Sequence, residues 1–348
     1  MDSATELRGW INGDESAKEM LERVLTERPL LLLPPLHRVP LRVGNVVEIV
    51  GSSPSGKTQI LVQAAISCVL PREWNGVYYG GLERLVIFFD LDCRFDILRL
   101  SESLKLHIME ANRSSSLNNG GPSEDIQFDE ELFVSCMKRF LYVRCYSSFE
   151  FLAALKTMHC QIQKESEAHG VGVHFLMIDS ISAFYWVDRA SAMLPIGVHS
   201  IGWIPEKASA MLPIGGDKRK HISLQSVAET VVQEIQKLLC VQPMLVLASK
   251  ATVFGDGSIS SEAKRKWSSG ETSDLKTSRM NPQKYSCRDY MPSVWQSFIT
   301  HRVFVRVSDD LVDSKHQTMP IYETEWLLPP LSFLDKFTVK DAGIFMIA

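Results

Sequence analysis

Gly51-Ser52-Ser53-Pro54-Ser55-Gly56-Lys57-Thr58 follows the apolar run Val46-Val47-Glu48-Ile49-Val50 and precedes Gln59-Ile60-Leu61-Val62-Gln63-Ala64-Ala65. The order is a strand, a loop bounded by glycines and ending in Lys-Thr, then a helix: the context of the phosphate-binding P-loop, G-x-x-x-x-G-K-[ST]. The glycines let the backbone curl so that successive N–H groups point inward as a nest for phosphate oxygens. The helix that starts near Lys57 turns its positive dipole end to the same anion. Lys57 is placed to reach the β- and γ-phosphates, and Thr58 to offer its hydroxyl to Mg²⁺. Gly51, Ser52, Ser53, Pro54, Ser55, Gly56, Lys57 and Thr58 are therefore assigned to nucleotide binding, with ATP and Mg²⁺ as the expected cofactors. A glycine-rich turn that binds nothing is the competing reading, and the flanking strand and helix argue against it.

Outward from this loop, short apolar runs alternate with helical spacings. The expected strands are Val46–Val50, Leu85–Asp90, Phe140–Arg144, His174–Asp179, Met244–Ala248 and Arg302–Val307. Between them, apolar residues recur at three and four, as in Ile222, Val227, Val231, Ile235 and Leu238. Strands apolar throughout and separated by helices predict an α/β fold, a mostly parallel twisted sheet with helices on both faces. The run His174-Phe175-Leu176-Met177-Ile178-Asp179 closes in a carboxylate. With a P-loop upstream, Asp179 is assigned to Mg²⁺, held through water; a turn or helix-capping carboxylate is the alternative.

The chain has 348 residues and a formal net charge of −4, so no global field draws it toward nucleic acid or membrane. Its seven cysteines are scattered and form no C-x-x-C pair, which argues against a disulfide framework or a zinc site. No signal peptide is legible at the N-terminus, and the apolar stretch Leu30–Leu33 is too short to span a bilayer. The expectation is a soluble intracellular protein without a membrane partner.

One core is expected over 41–310, with a short N-terminal extension over 1–40, too little for an independent domain, and a C-terminal tail over 311–348. Within the core, Asn112–Asp125 reads as a polar surface loop. SAMLPIG occurs at 191–197 and again at 209–215, too few copies for a solenoid; a small duplication or a splice or gene-model feature accounts for the insert 190–216. Lys250–Tyr290 is serine-rich, with eight Lys or Arg against five acidic residues, a local charge of +3.

The block Ile178-Asp179-Ser180-Ile181-Ser182-Ala183-Phe184-Tyr185-Trp186-Val187-Asp188-Arg189 resembles the RecA-like recombinase paralogues of eukaryotes. So do Val86-Ile87-Phe88-Phe89-Asp90-Leu91-Asp92 with Phe95–Leu100, and Tyr290-Met291-Pro292 with Trp295-Gln296 and His301-Arg302. The similarity runs from about residue 43 to 307, interrupted at 190–216. It implies a RecA-like P-loop NTPase core and a nuclear DNA-repair factor. Such a factor helps a recombinase filament assemble on double-strand breaks during homologous recombination, and in meiosis, as one subunit of a heteromeric paralogue complex.

Departures from a full recombinase bear on mechanism. The family's water-orienting glutamate is matched by Asp92, shorter by one methylene, about 1.5 Å of reach; errors of that size can cost about 100-fold in rate. Asp92 reads equally as a capping carboxylate. Full recombinases carry a γ-phosphate-sensing glutamine after the strand ending at Ala248, where this chain has Ser249-Lys250-Ala251. Nucleotide binding with weak or absent hydrolysis follows. In the family, DNA is met by loops after the strands ending near Asp179 and Ala248. This makes the basic segment 250–290, with Lys264, Arg265 and Lys266, the candidate DNA contact; a solvated loop is the alternative. Phe151-Leu152-Ala153-Ala154 has the F-x-x-A form of a docking motif but lies in an apolar helical run that reads as core. Tyr185 and Trp186 read as packing against the sheet or a partner rather than on bases. The rival functions are a DNA-stimulated ATPase and, more remotely, a P-loop small-molecule kinase, for which no arginine-rich lid is legible.

Overall fold

The computed structural model describes residue 16 and residues 34–118, 128–193, 224–252, 289–314 and 317–347. Strands β1 (Val46–Gly51), β4 (Leu85–Asp90), β5 (Phe140–Arg144), β6 (Val173–Asp179), β7 (Leu245–Ala251) and β8 (His301–Ser314) lie side by side in parallel, in the order β8-β1-β7-β6-β4-β5. All six predicted strands are present, five of them within three residues of their expected ends, while β8 runs seven residues past Val307. Burial explains their composition: every residue of β1 and β4 is shielded from solvent, so neither can show a polar alternation.

Helices close both faces. On one side α1 (Lys57–Val69), α2 (Ile97–Asn118) and α3 (Glu130–Lys138) cover Val47, Ile49, Phe88, Phe175, Met177 and Leu247. On the other, α4 (Ser148–His169), α5 (Tyr185–Met193), α6 (Leu224–Val241) and α7 (Ser293–Phe298) cover Val46, Phe89, Ile178, Val246 and Ala248. Odd and even residues of one strand thus face different cores. Phe151 is buried in the second core, as the apolar helical run implied. A small hairpin, β2 (Glu73–Trp74) with β3 (Val77–Tyr78), lies outside the main sheet.

Two expectations need correcting. Residues 311–348 are no tail: β8 continues into β9 (Gln317–Leu328), β10 (Pro330–Lys340) and β11 (Gly343–Ile347), antiparallel strands that extend the same sheet to nine. Trp326 and Phe337 from these strands are buried in the core that holds α1. The end of the N-terminal extension joins the same core. Leu36 is buried in that core, and the Arg38 guanidinium pairs with Asp335 of β10. Finally, residues 112–118 belong to α2 rather than to a loop, because Ser and Asn at its polar end are tolerated where a helix faces solvent. Residues 194–216 of the insert 190–216 and most of the basic segment, 253–288, lie outside the described residues, as do all but Ser16 of the first 33 residues.

Candidate functional site

The carboxyl ends of β1, β4, β6 and β7 meet where the chain leaves the middle of the sheet, the usual place for a ligand in an open α/β fold. Gly51 ends β1 with no space for a side chain, since a Cβ would collide with the Val305 carbonyl of β8. Gly56, with φ +78°, turns the loop into α1 in the left-handed region that glycine enters freely. The first turn of α1 holds no acidic residue and no side chain caps it, so its N–H groups and dipole are left for an anion. Ser53 and Pro54 form the exposed tip of the loop, while Ser55 is buried beneath it.

Lys57 lies within this loop. Its Nζ donates to Gly51 O at 2.9 Å, Ser52 O at 2.8 Å and Ser55 Oγ at 3.0 Å. Burial lowers its pKa to about 8, against the opposing pull of the Asp179 and Asp92 carboxylates. The ammonium is therefore held by neutral carbonyls and a hydroxyl in a partly desolvated place, a poor match that an anion would improve.

Thr58 Oγ1 donates to Asp179 Oδ2 at 2.7 Å. The other carboxylate oxygen, Oδ1, accepts from Ser249 Oγ of β7. Burial pushes the Asp179 carboxyl above its usual range, and the two hydroxyls and the Lys57 charge pull it back. Thr58 and Asp179, distant in sequence, thus converge beside Lys57 with hard oxygen donors. Two such donors suit Mg²⁺, which is usually held by one or two protein oxygens and completed by phosphates and water. Among the described residues no group of three or more His, Cys, Asp or Glu could hold a metal ion without such help.

Asp92 follows the end of β4 and is exposed, yet close enough to Lys57 to stabilise its charge. Partial desolvation and the neighbouring carboxylates of Asp179 and Asp90 raise its pKa to about 6. Asp90, two residues earlier, is committed to structure. It is buried and accepts from Tyr142 Oη at 2.6 Å and from the backbone N–H groups of Arg94 and Phe95. Of the two acids, Asp92 is the exposed one, within electrostatic reach of Lys57 and Asp179. Lys264, Arg265 and Lys266 lie outside the described residues.

Sequence reasoning missed a buried ion network behind the site. Lys250 of β7, 3% exposed, donates to Glu48 of β1 at 3.1 Å and to Asp289 at 2.9 Å. Arg302 of β8 bridges the same two carboxylates at 2.6 and 2.7 Å, and Trp295 Nε1 donates to Glu48 at 2.8 Å. Glu48 and Lys250 were the visible signal: opposite charges inside two apolar strands must be paired when both are buried. Neighbours on β7 therefore serve opposite faces, Ser249 toward Asp179 and Lys250 toward Asp289.

No family model matches the chain. It is 48% identical over 353 residues to the DNA repair protein XRCC2 homolog of Arabidopsis thaliana, covering 97% of this chain and 89% of that protein. It is 24% identical over 346 residues to the DNA repair protein XRCC2 of Mus musculus, covering 99% of this chain and 96% of the mouse protein. Identity at this level along nearly the whole length, on a RecA-like sheet with a P-loop at its centre, shows that the chain belongs to the XRCC2 family of DNA repair proteins.

Proposed function

We propose that the chain is a nucleotide-binding subunit of the homologous-recombination machinery. It assists assembly of a recombinase filament on broken DNA from within a heteromeric complex of nuclear paralogues. Family membership supports the role in DNA repair. The hydrogen bond between Thr58 and Asp179 supports the nucleotide reading, because it gathers the Mg²⁺ donors beside the P-loop lysine.

In this reading ATP is the ligand. Lys57 exchanges its carbonyl partners for phosphate oxygens, and the P-loop N–H groups with the free end of α1 hold the rest of the triphosphate. Thr58 and Asp179 hold Mg²⁺, which neutralises phosphate charge. Asp92 orients or deprotonates water poorly, being shorter than glutamate. The chain then binds nucleotide more readily than it turns it over, and bound triphosphate acts on how the subunit joins its partners. Pull-down with purified recombinase paralogues, with and without ATP and Mg²⁺, tests this. Capture that strengthens with nucleotide is expected, and failure to capture any of them refutes it.

One observation favours a second reading, an ATPase stimulated by DNA. A carboxylate with a pKa of about 6 near a P-loop lysine is close to what a general base at neutral pH needs. Steady-state phosphate release that rises with single-stranded DNA and vanishes in Lys57→Ala would select it.

A further inference from the structure

Four helices of the second core meet above the sheet and leave a slot between them. Phe151 of α4, Tyr185 of α5, Val227 and Val231 of α6 and Trp295 of α7 line it. Each of the five is at most 9% exposed, so the walls are those of a packed core rather than of a loose surface. Tyr185 takes its place in the wall by meeting Tyr290 at 4.8 Å, while its neighbour Trp186 stays exposed. The open space is about 50 Å³. A single water needs about 10–15 Å³ counted in the same way, so the slot has room for about four heavy atoms. That is one aliphatic side chain, and too little for a nucleotide or another whole small molecule.

One end of the slot is polar. Ser148, the first residue of α4, donates from Oγ to Asp188 Oδ1 of α5 at 3.1 Å and ties the two helices together. Among the described residues this hydroxyl is the carboxylate's one hydrogen-bond partner, and no cation pairs with it. The adjacent Arg189 guanidinium is engaged elsewhere, 5.6 Å from the Trp186 ring centre. Partial burial therefore raises the Asp188 pKa, opposed by the Ser148 hydroxyl alone. A half-buried carboxylate beside an apolar slot lacks the positive partner that burial calls for. Phe149, next to Ser148 and 56% exposed, adds apolar surface at the same end.

We propose that the slot docks a segment of a partner protein that presents one aliphatic side chain beside a lysine or arginine. The inference rests on the assembly function proposed above and names the surface through which that assembly is made. The aliphatic group enters between Phe151, Val227 and Trp295, and the cation meets Asp188 Oδ2, the oxygen that Ser148 leaves open. The two halves support each other. Filling the slot removes apolar surface from water, and the water it displaces no longer screens the ion pair. A nucleic-acid strand matches neither half, since a base is too broad for the slot and Asp188 repels phosphate.

The test is the affinity of the full-length chain for purified recombinase paralogues, measured by biolayer interferometry beside the melting temperature of each variant alone. Ala228 of α6 also lines the slot and is only partly buried, so Ala228→Leu fills the space without removing core atoms. Ala228→Leu should lower affinity at least about 10-fold, the loss of a well-packed anchor, while Ala228→Ser should keep it. Its melting temperature should hold or rise, as for other cavity-filling changes. Asp188→Asn should lose about 3- to 10-fold and most of the salt dependence of binding, and Asp188→Lys should lose more. Unchanged affinity in either Ala228→Leu or Asp188→Asn overturns the docking site and leaves the assembly function standing. A lower melting temperature in Ala228→Leu would mean that the chain fills the slot itself, which also overturns it. A wild type that captures no paralogue takes down the assembly function and the docking site together.

Discussion

Thr58 Oγ1 and Asp179 Oδ2 are 2.7 Å apart, so the first turn of the P-loop helix and the end of β6 meet at a single hydrogen bond. Both ends come from regular elements rather than from loops, and that fixes the distance across which an ion would be held.

Asp179 carries an electrostatic cost for this position. Burial raises its pKa above the unfolded value of 3.8, so the folded state holds the proton more tightly than the unfolded one. Stability then falls as pH rises above the unfolded value. Asp179→Asn removes the cost. Without nucleotide it should gain thermal stability relative to the wild type as pH climbs above about 4. Its affinity for ATP with Mg²⁺ should fall about 10- to 100-fold, the range for losing an outer partner of a metal. Melting curves across pH and a nucleotide titration check the pair; a variant less stable than the wild type at neutral pH contradicts the assignment.

Asp92 tests whether the site can turn over. Asp92→Glu restores the missing methylene and should raise basal phosphate release by up to about 100-fold, with ATP affinity unchanged. The pKa of about 6 adds a pH signature: any activity of the wild type should decline below about pH 6 as the carboxylate takes its proton. An Asp92→Glu chain as inactive as Asp92→Ala would make Asp92 a capping carboxylate.

Lys250 belongs to the stretch Ser249-Lys250-Ala251, which holds no glutamine, and its charge is structural. Lys250→Gln leaves Glu48 buried with one cation fewer and should destabilise the fold by about 3–5 kcal/mol, the usual result of removing one partner of a buried pair. Replacing Glu48 and Lys250 together by Gln and Met should cost less than Lys250→Gln alone. Urea unfolding of the wild type, Glu48→Gln, Lys250→Met and the double variant measures the coupling directly.

The parallel half of the sheet was legible because its strands are buried on both faces and therefore apolar at nearly every position. Asp179 and the P-loop were legible for a different reason: phosphate chemistry admits few residue types at fixed spacing. The antiparallel half was not. Glu323, Thr324 and Asp335 are buried within β9 and β10, which breaks the alternation that would have announced strands, and Asp309, Asp310 and Asp313 make the end of β8 look like a linker. Those buried polar groups find partners far away, Asp335 at Arg38 and Glu323 at Arg306, and such pairings are invisible in a local pattern. Tyr185 and Trp186 were visible as aromatics, but which of the two faces outward depends on Tyr290 across a long gap in sequence.

Phe337 measures how much the C-terminal strands matter. It is fully buried in the α1 core, stacks on Tyr322 at 5.3 Å, and lies within contact distance of a Cβ at Gly56. Phe337→Ala should cost about 3–5 kcal/mol, as large-to-small changes in a packed core do. It should also weaken nucleotide binding, because the P-loop turn loses the surface behind it. Denaturant unfolding and an ATP titration on the same sample check both; a loss under about 1 kcal/mol would return these strands to the status of a tail.

Lys57 gives the nucleotide reading its sharpest pH test. Without ligand its ammonium is partly buried among Gly51 O, Ser52 O and Ser55 Oγ, and desolvation brings its pKa to about 8. Against phosphate oxygens the ammonium stays charged well beyond that value. Below about pH 8 the free and bound sites hold the same proton, so affinity is flat; above it, binding must take up a proton, and affinity falls toward tenfold per pH unit. Arginine holds its charge throughout this range. Lys57→Arg should therefore bind less well but without the alkaline decline. Titration calorimetry at about pH 9 in buffers of different ionisation enthalpy should register close to one proton taken up per wild-type site and none in Lys57→Arg. A wild-type affinity that stays level from about pH 7 to about pH 9.5 would mean that Lys57 does not carry the phosphates.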